Sequence, residues 1–130
     1  MSRMAVEPSP RAAIRRYALA YTNWDARTLP AHERALASLA VGPARLADEQ
    51  TAASQSRAKE LAADHVRARG AILAIAVGTG QAHGQWVIVT AEQTTGTGPY
   101  AGLPASPHLT LARTVQLGSY WAVSEWNPQT

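Results

Sequence analysis

The chain has 130 residues, 46% of them hydrophobic and 16% charged, with a formal net charge of +3 and a pI near 9.8. That length points to one domain, and this balance of apolar and charged residues excludes an intrinsically disordered chain. The absence of cysteine excludes disulfides, thiolate metal sites and cysteine nucleophiles, and leaves the redox compartment open.

Residues 1–8 read as a disordered tail ahead of a single domain over residues 9–127. They contain no apolar run, so neither a signal peptide nor a membrane span is expected within the 130 residues. The corresponding location is cytoplasmic as written, or extracytoplasmic if an N-terminal membrane anchor has been removed. Ser9-Pro10 gives an N-cap followed by proline at the first helical position, and Ile14, Tyr17, Ala18 and Tyr21 then form one apolar stripe. This first helix is expected to end near Thr22–Asp25. Thr28 and Pro30 open a second helix with Leu36, Leu39 and Ala40 inward, and Gly42-Pro43 breaks it. A third helical stretch is read from Ala44 to Arg69, interrupted near Ser54–Ser56, with Ala58, Leu61, Ala62 and His65 on one face and Gly70 as its stop.

Beyond Gly70 the period changes. The segments AILAIAV (71–77), QWVIVTAEQ (85–93), HLTLARTVQL (108–117) and YWAVSEW (120–126) are strand candidates rich in Val, Ile, Trp and Thr. Their short Gly- and Pro-containing connections suit antiparallel neighbours, because a parallel pair needs a crossover of a dozen or more residues. The expected fold is α+β: N-terminal helices packed on a curved four-stranded antiparallel sheet, with the first and third helices on the concave face. Trp121 and Trp126 differ by an odd number and would face opposite sides of an unbroken strand.

Chemical signatures are weak. GTGQAHG (78–84) resembles a dinucleotide fingerprint, but its third glycine comes one residue late and no helix follows, so it reads as a hairpin loop. SRAK at Ser56–Lys59 lacks the partner motifs of penicillin-recognising enzymes, and the zinc-protease-like HERAL has Leu36 where a second histidine is needed. The four histidines lack paired ligand spacing, so no metal and no cofactor is expected. Twelve basic residues, one of them lysine, run from Arg3 to Arg113 with a single dense spot at Arg11, Arg15 and Arg16, which argues against nucleic-acid binding. Glu92 and Glu125 fall near strand ends, and Asp48, Glu49, Glu60 and Asp64 read as solvated helix positions. No catalytic residue stands out.

The order of elements, with YALAYTNWDARTL, GQWVIVTAEQTTG and the closing YWAVSEWNPQ, resembles the nuclear-transport-factor-2-like (cystatin-like) superfamily. Within it, the chain is most similar to the extracytoplasmic scaffold domain of type IV secretion and conjugation systems, actinobacterial relatives included. The likeness covers residues 10–127. It implies a cone-shaped, non-catalytic binding or assembly module that contacts other subunits of a membrane-associated machine. Those proteins carry a membrane anchor before the domain. The same superfamily holds ketosteroid isomerases, polyketide cyclases and epoxide hydrolases that use the hollow of the cone, and this is the alternative reading. In either case Tyr17, Tyr21, Trp24, Asp25 and His65 are the candidate pocket residues, and an apolar small molecule is the candidate ligand. Apolar alternate faces on the strands lead to the further expectation of a homodimer through the sheet.

Overall fold

The computed structural model describes residues 7–78 and 84–129. Four helices precede most of the sheet: α1 (Pro10–Thr22), α2 (Leu29–Ala37), α3 (Gly42–Ala52) and α4 (Gln55–Ala63). The strands are β1 (Trp24–Asp25), β2 (Arg67–Val77), β3 (Trp86–Thr95), β4 (Ser106–Leu117) and β5 (Tyr120–Gln129). They form one antiparallel sheet in sequential order, curled around α1 and α3. The class is α+β as expected, with two corrections. The sheet has five strands, not four, because Trp24–Asp25 pairs with Ala68 and Arg67 at the edge. Two residues are too short a run to show any periodicity. The third helical stretch, interrupted as expected and here at Ala53–Ser54, ends at Ala63 and not at Arg69.

The helix starts follow from local chemistry. Ser9 is extended at φ −147° and its Oγ accepts from the Ala12 amide at 3.1 Å, while Pro10 occupies the first helical position and gives up no needed donor. The end of α4 departs from expectation. The helix stops at Ala63, and His65 takes the left-handed conformation, φ +54°, usually given to glycine. The Val66 amide donates to Leu61 O and the His65 amide to Ala62 O, both at 3.0 Å, which together make a Schellman cap. Arg67, Arg69 and Gly70 therefore belong to β2, not to a helix, and the buried Val66 and Ala68 anchor its start.

The sheet register aligns the concave face. Across β2, β3 and β4 the rows run Ile72–Thr90–His108 and Ile75–Ile88–Thr110, and Trp86, Ala112 and Trp126 close the series on β3, β4 and β5. Leu73 is an extra residue in β2 and Ser124 an extra residue in β5, each unopposed on the neighbouring strand. Such bulges bend and twist a strand, and they curl this sheet. The bulge at Ser124 also corrects the expectation for the tryptophans. Trp121 opposes Gln116 and Trp126 opposes Ala112, two β4 residues on one face, so both indoles lie on the concave side. The core is Ile14, Tyr17 and Ala18 of α1 with Leu36, Ala40 and Ala44, set against Ile88, Ala112 and Val123.

Two contacts tie α1 to β2. Asn23 uses its amide as a strand would, donating from Nδ2 to Gly70 O and accepting on Oδ1 from the Gly70 amide, each at 3.1 Å. Thr22 lies directly over Gly70, which has no side chain to obstruct it. At the other edge the Trp121 amide donates to Glu7 O at 3.0 Å and the Val41 amide to Val123 O at 2.8 Å. The Gly78 amide donates to Gln85 O, consistent with a hairpin between β2 and β3, while residues 79–83 of GTGQAHG lie outside the described residues.

Candidate functional site

Between the concave face and the helices lies a cavity of about 640 Å³. Tyr17 and Tyr21 come from α1 one turn apart, their rings stacked at 6.1 Å between centroids. Trp126 of β5 tilts against both, at 4.8 and 5.5 Å, and Trp24 of β1 closes a further wall. The sheet adds Ala68, Glu92 and Thr94; α2 adds Glu33; α3 adds Ala44, Ala47 and Asp48; Arg57 comes from α4. The Trp126 Nε1–H is buried with no hydrogen-bond partner among the described residues.

Three of the five residues singled out from sequence, Tyr17, Tyr21 and Trp24, line this cavity. Asp25 does not. It caps the following 3₁₀ turn, accepting from the Arg27 amide at 3.0 Å, and it pairs with the side chains of Arg27 and Arg67. Those bonds hold its carboxyl down at about 2, the Arg27 amide contributing most. His65 does not either: it is exposed in the α4–β2 turn, where the Schellman cap replaces the helical face it was assigned to.

Sequence reasoning missed the carboxyls. Asp48 is only 5% exposed, and its Oδ2 accepts from the Tyr17 hydroxyl at 2.8 Å. Burial pushes the Asp48 carboxyl up from its ordinary 3.8 to about 6, against the lowering effect of the Tyr17 hydrogen bond. Burial also raises Glu33, with the charge of Asp48 adding to the effect. Both tyrosines are pushed up, first by burial and then by neighbouring acids, so both hydroxyls stay protonated and can donate. Glu92 Oε2 accepts from Thr90 Oγ1 at 2.6 Å. The signals were present in the sequence. Asp48 follows Ala44 by four residues, Glu33 sits between Leu29 and Leu36 at helical spacing, and Glu92 shares the parity of Ile88 and Thr90.

The Asp48 shift carries a stability prediction with a definite sign. Its folded pKa lies above the unfolded value, so the native state binds the extra proton between them. Its contribution is greatest below about pH 4 and is lost as pH rises through 6. At about 1.4 kcal/mol per unit, and allowing for water in the cavity, stability should fall by about 2 kcal/mol between pH 4 and pH 7. Asp25, held low, acts in the opposite sense but only at more acidic pH. Urea midpoints across this range should fall for the parent and flatten for Asp48→Asn. A parental midpoint that rises over the window contradicts the assignment.

No family model matches the chain, and no curated protein matches it. Solved structures do match its fold. One is the Agrobacterium tumefaciens VirB8 protein, at TM-score 0.70 and 12% identity over 92% of this chain and 88% of that one. Another is the soluble domain of the TrwG type IV secretion machinery from Bartonella grahamii, at 0.69 and 12% over 92% and 93%. A third is a TrwG component of the type IV secretion system from Bartonella birtlesii, at 0.69 and 13% over 92% and 88%. At these identities the likeness establishes the fold alone: the chain shares the fold of these three structures over 92% of its length.

Proposed function

We propose that this chain is a non-catalytic assembly module of a type IV secretion or conjugation machine, contacting other subunits and pairing with a second copy through its sheet. The observation that carries the reading is the shared cone, which extends over 92% of the chain in each of three secretion-system domains. Support for the pairing comes from the apolar side chains Leu109 and Val115, 41% and 39% exposed on the outer side of β4. Deleting the gene in a cell that carries the corresponding machine is expected to abolish substrate transfer, and the wild-type gene to restore it, with the purified chain dimeric by light scattering. Unchanged transfer in the deletion strain would overturn the assembly role, and a monomer at high micromolar concentration the pairing.

A second reading is a small-molecule enzyme of the ketosteroid isomerase or polyketide cyclase kind, favoured by one observation. Asp48, buried and hydrogen-bonded to Tyr17, is an acid tuned towards neutrality inside a cavity. Isomerase, cyclase or epoxide-hydrolase turnover by the parent, lost in folded Asp48→Asn, would replace the assembly reading with this one.

A further inference from the structure

Of the six acidic residues outside the cavity, Glu7, Asp25, Glu49 and Glu125 each have an arginine within 4 Å, and Glu60 and Asp64 do not, among the described residues. The three that line the cavity, Glu33, Asp48 and Glu92, have no basic partner at that distance among the described residues. Arg57, the one basic residue in the lining, is exposed and pairs with none of them. A buried carboxyl ordinarily has its lone pairs satisfied. Asp48 is half satisfied: Tyr17 holds Oδ2, while Oδ1 takes no hydrogen bond from any described residue and keeps surface toward the cavity.

The walls around these carboxyls are aromatic. Tyr17, Tyr21, Trp24 and Trp126 offer π faces, which attract cations and stack on flat apolar groups. The volume of about 640 Å³ falls within the range of small-molecule sites, roughly 300–1,000 Å³. An anion would meet three carboxyls with only a rim arginine to offset them. A neutral apolar molecule would leave Asp48 Oδ1 desolvated and unpaired.

We propose that the cavity binds a small organic cation, an amine or guanidine carried on an apolar body, with the charged head donating to Asp48 Oδ1 and the body packed among Tyr21, Trp24 and Trp126. The head supplies to Asp48 the close counter-charge that the exposed Arg57 does not. This site does not depend on the assembly role, and each stands or falls alone. The groups facing Asp48 are the hydroxyls of Tyr17 and Tyr21 on α1, Glu33 on α2, Arg57 on α4 and Glu92 on β3. Protonation of Asp48 competes with the cation, so binding weakens as pH drops through about 6.

Three probes of one shape and different charge test this on the full chain: benzylamine, benzyl alcohol and benzoate, titrated by NMR against the indole N–H signals of Trp24 and Trp126. Benzylamine should saturate, bind about tenfold tighter than benzyl alcohol, and lose about tenfold at pH 5 relative to pH 7, with benzoate weaker than both. Asp48→Asn should remove most of the preference for the amine. If that variant fails to fold by thermal melting, the preference of the parent for benzylamine over benzyl alcohol at pH 7 and its loss at pH 5 carry the test. Saturation by no probe, equal affinity for all three, tighter binding of benzoate, or a folded carboxamide variant with parental affinity would each overturn the proposal.

Discussion

Gly70→Val should cost more than about 3 kcal/mol and leave much of the protein unfolded at physiological temperature. A Cβ at position 70 would fall within the van der Waals radii of Thr22 Cβ and Oγ1, and 3.2 Å from Thr22 Cγ2. Thr22 cannot yield easily, because it is buried and its hydroxyl donates to Ala18 O at 2.8 Å. Moving α1 away would strip Asn23 from both backbone groups of Gly70 and lift Ile14 and Tyr17 from the core. Overpacking a dense core typically costs 1–3 kcal/mol, and here lost hydrogen bonds of about 1 kcal/mol each add to it. Gly70→Ala should show a smaller loss of the same sign. Urea unfolding of both variants beside the parent measures it, and a parental midpoint for Gly70→Val would show that α1 does not cross β2 at this point.

Trp126→Ala is expected to lose about 3 kcal/mol, the low end for removal of a large aromatic, since the ring is not fully buried. The indole joins the last strand to the first helix through its packing on Tyr17 and Tyr21. Removing it also opens the cavity wall. Trp121→Ala should cost no more than about half as much: it shares the concave face but contacts neither tyrosine ring and lies outside the core cluster. Denaturant titration of the two variants gives the ranking. A larger loss at Trp121 would contradict the register at the Ser124 bulge.

The sequence was most legible where local chemistry and burial agree. Ser9-Pro10, the α1 stripe and the Gly42-Pro43 break announced the helices, and the Val-, Ile- and Trp-rich runs announced β3, β4 and β5. It was least legible from His65 to Gly70. There a histidine takes the left-handed cap, and the strand alternates arginine with Ala68, which lines the cavity, and Gly70, where Thr22 of α1 leaves no room for a side chain. That stretch has the composition of a helix and the period of a strand. The bulges at Leu73 and Ser124 were hidden for a different reason. A one-residue insertion is visible only against a partner strand, and it reverses every parity argument beyond it. In the cavity the aromatics were found because they fit an apolar face. Asp48 was discounted because polar residues on helices are usually solvated, Glu92 because it falls near a strand end, and Glu33 was not singled out, although the spacing of all three placed them inward.

The two edges of the sheet are unequally protected, and this sets a limit on growth. Along β5 the outer edge is occupied by Glu7 and Val41, and Pro128 further on has no amide to offer. Along β2, past the short β1 pairing at Arg67 and Ala68 and the Asn23 bond at Gly70, no described residue covers the outer backbone of 71–77. Only the bulge at Leu73 interrupts it. Two copies meeting edge to edge along β2 about a two-fold axis would cover both β2 edges and leave outermost the β5 edges, held at Trp121 and Val123 by Glu7 and Val41. Growth by edge pairing along β2 is self-terminating at two; a fibre built edge to edge would first require β5 to shed its cover.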